Sequence, residues 1–226
     1  MNNRLLIFDM DGVLVDVSES YRETIQQTVE HFTGKRVTRE TIQAWKNRGN
    51  FNDDWALSTA LIRDAGAPAS YDDVVRHFQS IFHGNGSDGL ILRERWIANA
   101  GMLERLNQRF RFSLFTGRLQ WEAELTLRRF APGLTFAPIV GAGDVPHHKP
   151  APDGLLHIRK LSPGAELWYV GDTVDDARSA KAAGVPFIGI AAALSERREE
   201  LCALLQAEGA VAILDNINQL EDALIP

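Results

Sequence analysis

Leu5-Leu6-Ile7-Phe8-Asp9-Met10-Asp11-Gly12-Val13 is the stretch whose reading decides the fold. Four successive apolar residues read as a buried strand. The two carboxylates at its end concentrate negative charge, which burial makes costly unless a cation or a reaction requires it there. Residues at i and i+2 of an extended chain share a side, so Asp9 and Asp11 can converge on one spot. Gly12 then allows the backbone to turn sharply away. Taken alone, the segment is also compatible with an acidic turn after a strand, or with part of a calcium loop.

Three later segments narrow the choice. Phe112-Ser113-Leu114-Phe115 is a second apolar run and ends in Thr116-Gly117-Arg118; a lysine follows in His148-Lys149-Pro150; a third run, Leu167-Trp168-Tyr169-Val170, ends in Gly171-Asp172-Thr173-Val174-Asp175-Asp176. An acid pair, a strand-end Thr, a Lys before Pro and a strand-end Gly-Asp with further acids, in that order, resemble the four motifs of the haloacid dehalogenase superfamily. Within it the chain resembles the subfamily with an α-helical cap, which includes phosphoglycolate phosphatases and β-phosphoglucomutase-like proteins. The resemblance runs from Asp9 to about Gly189.

Composition agrees with an ordinary soluble globular protein: of 226 residues, 24% are charged and 45% belong to the hydrophobic set. A formal charge of -6 argues against a dedicated nucleic-acid surface, so any bound anion needs a local positive site. Cys202 is the only cysteine, which excludes an intrachain disulfide and points to a reducing cytoplasm. It falls in a helix-like stretch and reads as an inert packed thiol. No signal peptide is read ahead of the first strand, and no apolar run is long enough for a bilayer, so no membrane partner is expected.

After the first strand the pattern becomes helical. Tyr21, Ile25, Val29 and Phe32 recur at helical spacing, with Gly34 as a stop; a second helix is expected over 38–46, a third behind a cap at Asn52, and a fourth behind a cap at Ser70. The glycine-rich stretch Gly84–Gly89 and residues 15–18 read as a pair of hinges. Beyond them, strands expected near 112–115, 138–140, 167–170, 187–190 and 211–214 alternate with helices. That alternation implies an α/β protein with a Rossmann-like parallel sheet covered on both faces, whose site lies at the carboxyl ends of the strands. The expected division is a core of 1–16 and 90–226 with a helical domain of 17–89. The resemblance implies that the first strand is central and that the insert is a small mobile cap.

The resemblance also implies roles. Asp9 looks like the nucleophile that forms an aspartyl-phosphate, and Asp11 like the acid that protonates the leaving group and later activates water. Mg2+ would be held by Asp9, the backbone carbonyl of Asp11 and Asp172. Lys149 would contact the nucleophile and a phosphoryl oxygen, with the Thr116 hydroxyl and the Gly117 N–H on the others. Asp176 is expected to support the metal water or Lys149 from behind, and Asp175 to be a helix N-terminal acid favoured by the dipole. Arg118 is placed either on the substrate or in solvent. His147 and His148 read as loop histidines, and Gly141-Ala142-Gly143 as a turn.

The implied activity is that of a phosphatase for a small phosphorylated metabolite, phosphoglycolate or a sugar phosphate being the type. A phosphomutase shares all four motifs and stays open. Haloacid dehalogenation is disfavoured, since it needs neither a metal nor the second acid Asp11. A phospho-receiver domain is about half this length and lacks the insert. The loop Lys46-Asn47-Arg48-Gly49-Asn50-Phe51-Asn52 is cationic and amide-rich; Arg48 and Asn52 are candidates for the leaving group, against an ordinary helix connection.

Overall fold

A computed structural model describes residues 3–224. The first strand, β1 (Arg4–Phe8), leads through the acidic turn to a two-residue strand, β2 (Val15–Asp16). Four helices follow: α1 (Tyr21–Thr33), α2 (Arg39–Arg48), α3 (Asp54–Asp64) and α4 (Tyr71–His83). A 3-10 turn over Leu90–Arg93 precedes β3 (Arg95–Trp96), which pairs with β2. The remainder alternates: α5 (Met102–Asn107), β4 (Arg111–Leu119), α6 (Gln120–Phe130), β5 (Phe136–Ala142) and α7 (Asp153–Leu161). Then come β6 (Glu166–Gly171), α8 (Val174–Ala183), β7 (Phe187–Ile190), α9 (Arg198–Ala207), β8 (Ala212–Leu214) and the short α10 (Leu220–Ala223).

The six long strands form one parallel sheet in the order β5-β4-β1-β6-β7-β8. β1 is central because every residue from Leu5 to Phe8 is fully buried, as a strand covered on both faces requires. It pairs with β4 through Phe8↔Leu114 and with β6 through Phe8↔Val170. From β1 the chain builds outward through β4 and β5, then crosses to build the other side. The sheet direction therefore reverses beside β1, and the carboxyl ends of β1, β4 and β6 flank that crevice. Phe8 and Phe112 meet edge to face at 5.2 Å on one side; Phe115, Tyr169 and Phe187 form a row on the other, with centroids 5.9 Å apart at each step.

The chain divides into two compact units. One runs through Val15 and resumes at Trp96; the other is Asp16–Arg95. The second seam lies beyond Gly89 because Ile91 is buried in the helical unit's own cluster, among Tyr21, Ile25, Ile42, Leu57, Val74, Phe78 and Phe82. Thr38 and Ser70 cap α2 and α4, each accepting from the backbone N–H three residues on. The cap of α3 is Asp53 instead of Asn52: its carboxylate accepts from Trp55 and Ala56, where an ionised acceptor also gains from the helix dipole. The seam strands are tied within the helical unit by Arg95 Nη2 on Asp16 Oδ2 at 2.6 Å. Among the described residues, no helix is long and apolar enough to cross a membrane.

Candidate active site

Asp9 continues the ladder one step past β1, its N–H donating to Val170 O at 2.8 Å. This fixes its carboxylate in the crevice at 4% exposure. Gly12 turns the chain with φ +75°, and a Cβ there would lie 2.0 Å from Asp172 Oδ2. Glycine is therefore the residue that lets the Asp172 carboxylate approach the acidic turn. Gly171 does the same for Asp176, since a Cβ at Gly171 would fall 2.6 Å from the Asp176 side chain.

Lys149 is buried, with Nζ 2.7 Å from Asp176 Oδ1 and 3.0 Å from Asp9 Oδ1. Its ammonium also lies 4.9 Å from the Phe115 ring centroid and 5.7 Å from that of Tyr169. Burial would pull the lysine pKa down, but the charges of Asp176 and Asp9 outweigh it and hold the group protonated. For Asp176 burial is likewise outweighed, mainly by Lys149, and its pKa is lowered. Asp9 behaves oppositely. Burial pushes its pKa up to about 7; Lys149 opposes the rise, and the charges of Asp176 and Asp11 add to it.

Asp176 is saturated with donors. Its Oδ1 receives Lys149 and the Tyr169 hydroxyl at 2.5 Å, while Oδ2 receives Thr173 Oγ1 at 2.7 Å, Thr173 N at 2.9 Å and Asp172 N at 3.2 Å. The exchange with Thr173 is also the capping box that opens α8. Asp175, beside it, is buried in the first turn of that helix, 4.0 Å from Arg178 Nη1.

The donor chemistry fits a hard divalent cation. Oxygens of Asp9, Asp172 and Asp176 all lie within 4.8 Å of one another. Asp9 Oδ1 is buried with no aligned hydrogen bond, although Lys149 Nζ is near. A carboxylate left this way, its pKa raised, is the state that a cation between Asp9 and Asp172 would relieve.

Thr116 does not end its strand, as expected, but lies inside β4. Between Phe115 and Leu119 the pairing with β5 advances only from Val140 to Ala142, so Thr116, Gly117 and Arg118 occupy a bulge. Bulges re-aim side chains beside functional sites. Here Thr116 and Arg118 are buried and Gly117 is exposed. Arg118 corrects the solvated reading: it is 2% exposed, its Nε 2.9 Å from Asp11 Oδ1, its Nη2 on the same oxygen, and its Nη1 donating to Thr126 Oγ1 at 3.0 Å. Its observed partners are protein groups.

Arg48 and Asn52 lie in the helical unit. Arg48 is exposed at the end of α2 with its guanidinium carbon 4.7 Å over the Trp45 ring; Asn52 lies in the α2–α3 connection, half-buried. Lys46 is paired with Asp54 at 2.6 Å. His147 is exposed and bonded to Asp153 through Nδ1 at 2.9 Å, and His148 is exposed, as loop histidines should be. Gly141 and Ala142 close β5 before Gly143 makes the turn. Tyr169, Thr173 and Thr126 went unread as site residues. Tyr169 sits in an apolar run, and the one signal was that a hydroxyl on a fully covered strand needs a partner.

The family described as haloacid dehalogenase-like hydrolase matches residues 6–190, and the chain belongs to it. It is 33% identical over 195 residues to an imidazoleglycerol-phosphate dehydratase of Phytophthora nicotianae, across 82% of this chain but 42% of that protein. The chain thus spans less than half the length of that relative. With a phosphoglycolate phosphatase of Pseudomonas fluorescens (strain Pf-5) it shares 25% identity over 229 residues, covering 99% of this chain and 79% of the other. The crystal structure of a predicted phosphoglycolate phosphatase from Haemophilus somnus superposes with a TM-score of 0.78 at 17% identity, covering 100% of both chains, a likeness of fold.

Proposed function

We propose that this chain is a Mg2+-dependent phosphatase that hydrolyses a small phosphorylated metabolite through an aspartyl-phosphate on Asp9. The observation that carries the reading is the environment of Asp9: a buried carboxylate whose Oδ1 lies 3.0 Å from Lys149 Nζ, with oxygens of Asp172 and Asp176 within 4.8 Å. Phosphate monoesters resist spontaneous hydrolysis so strongly that enzymes supply up to roughly 10²¹-fold acceleration. Neutralising charge and aligning a nucleophile are therefore the tasks the residues must perform.

Asp9 attacks phosphorus and the ester oxygen leaves with a proton from Asp11. In the second step Asp11 takes a proton from water as its oxygen bonds to phosphorus and the Asp9–phosphorus bond breaks. Lys149 offsets charge on Asp9 and on a phosphoryl oxygen; the Thr116 hydroxyl and the Gly117 N–H bind the other oxygens. Asp9, the Asp11 carbonyl and Asp172 would hold Mg2+, which would supply charge neutralisation for the anionic nucleophile and phosphate. Asp176, whose oxygens are taken by five donors, serves from behind by fixing Lys149. Arg48 and Asn52 are retained as candidates for recognising the leaving group. We assign the protein to the cytoplasm on its single cysteine.

A panel of phosphorylated metabolites with Mg2+, scored by released phosphate, tests the reading. Phosphoglycolate and sugar phosphates lead the panel. Imidazoleglycerol phosphate joins it because the relative named for its dehydration carries a stretch 33% identical to this chain. Stoichiometric phosphate release is the expected result; interconversion of sugar-phosphate isomers with little release would identify a mutase instead.

A further inference from the structure

Arg118 places both of its nearest N–H groups on one oxygen of Asp11. Nε and Nη2 converge on Oδ1, and among the described residues no hydrogen bond reaches Oδ2. The third nitrogen, Nη1, is anchored on α6 by Thr126 Oγ1 at 3.0 Å. The Arg118 side chain is 1% exposed while that of Asp11 is 28% exposed, so the guanidinium is the fixed partner and the carboxylate the accessible one. Within β4, Arg118 shares the buried side with Thr116, and Gly117 between them is exposed. A planar fork held at two edges has little rotational freedom left, which a lysine could not reproduce.

We infer that Arg118 is a positioning residue that clamps Asp11 by Oδ1 and so dedicates Oδ2 to proton transfer. The inference rests on the proposed phosphatase reading and adds the atom that works in it. In the first step the Oδ2–H bond breaks as the leaving alkoxide takes the proton, while the Asp9–phosphorus bond forms and the ester bond breaks. In the second, Oδ2 receives the proton of the attacking water as the Asp9–phosphorus bond is cleaved. Arg118 neither gains nor loses a proton. It prevents Asp11 from turning either oxygen indifferently toward the leaving group.

The test uses two substrates that differ in their need for that proton, an alkyl phosphate from the panel and p-nitrophenyl phosphate, whose leaving group departs without one. General acid catalysis contributes about 10²–10⁴-fold, so Arg118→Met should lower kcat on the alkyl ester by about 100-fold with KM nearly unchanged. The burst of nitrophenolate that reports phosphorylation of Asp9 should change by less than about threefold. Because its later hydrolysis still needs Asp11, phospho-Asp9 should accumulate in the variant with p-nitrophenyl phosphate. In an Asp11→Asn background the same substitution should add almost nothing. Should Arg118→Met fail to fold, Thr126→Val removes the anchor with little change in volume and should produce the same substrate contrast, smaller in size. Equal losses in the rate of Asp9 phosphorylation by both substrates, a change in KM alone, or an undiminished loss in the Asp11→Asn background would overturn the clamp. Mass spectrometry of wild type separates the two ideas: no phospho-Asp9 removes the function and the clamp together, whereas phospho-Asp9 with an additive Arg118 effect removes only the clamp.

Discussion

Replacing Asp9 with Asn keeps the side-chain shape but removes the nucleophile, so turnover should vanish while circular dichroism and thermal melting stay close to wild type. Near-normal turnover by a sequence-verified sample would end the covalent mechanism. Gly12 offers a sharper test of geometry. In Gly12→Ala the new Cβ meets Asp172 Oδ2, and the left-handed backbone adds a penalty of roughly 1–2 kcal/mol. The Mg2+ concentration for half-maximal activity should rise at least about tenfold, as expected when a ligating carboxylate is displaced. Gly143→Ala is the control: φ is +91° there but nothing lies within 4 Å, so it should lose stability without changing the metal requirement. An unchanged Mg2+ requirement in Gly12→Ala would dissociate Asp172 from the metal.

At the scale of elements, the β2–β3 ribbon carries a testable charge. Half-burial would raise the Asp16 carboxyl, but hydrogen bonds from Ser18 and the Arg95 guanidinium lower it below the ordinary value of 3.8. A depressed carboxyl contributes stability that is fully present above about pH 4 and is lost as pH falls through the folded-state pKa. The pair is solvent-screened, so Asp16→Asn should cost about 1 kcal/mol at pH 7 and less near pH 3. Melting of wild type and variant at both pH values measures this; the same difference at each would show that the carboxylate charge is irrelevant. The element where reading the sequence stopped short is β4. Phe112–Phe115 is a clear apolar run, yet the strand continues to Leu119 because β5 is longer than its own apolar stretch suggests and pairs again at Leu119↔Ala142. Polar residues inside a bulge look like the end of a strand, and so Arg118 was read as facing substrate or water.

For the whole molecule the decisive experiment is on the metal. Activity should disappear with a chelator and return with Mg2+, whereas Ca2+ should bind without supporting turnover, since its larger and looser coordination shell misaligns the attacking carboxylate. Saturation to a hundred times Kd should stabilise the fold by about 2.7 kcal/mol, seen as a higher Tm in wild type and not in Asp172→Ala. Full activity without metal would return haloacid dehalogenation to consideration.

The sequence by itself determined the class of fold and pointed to the acids, lysine and threonine of the candidate site, because both are written in local order. A fully apolar run such as Leu5–Phe8 reads as a strand covered on both faces, and chemistry at strand ends follows the chain register. The insertion of helices after the first strand was equally legible, from 3.6-residue spacing and the Thr38 and Ser70 caps. Only the tertiary structure decided what stands behind those groups. That Tyr169 bonds Asp176, that Gly12 admits Asp172, and that Arg118 grips Asp11 while resting on Thr126 all depend on how separate elements pack against one another. A side chain's partner is set by the packing of several elements at once, and no spacing within one segment encodes it.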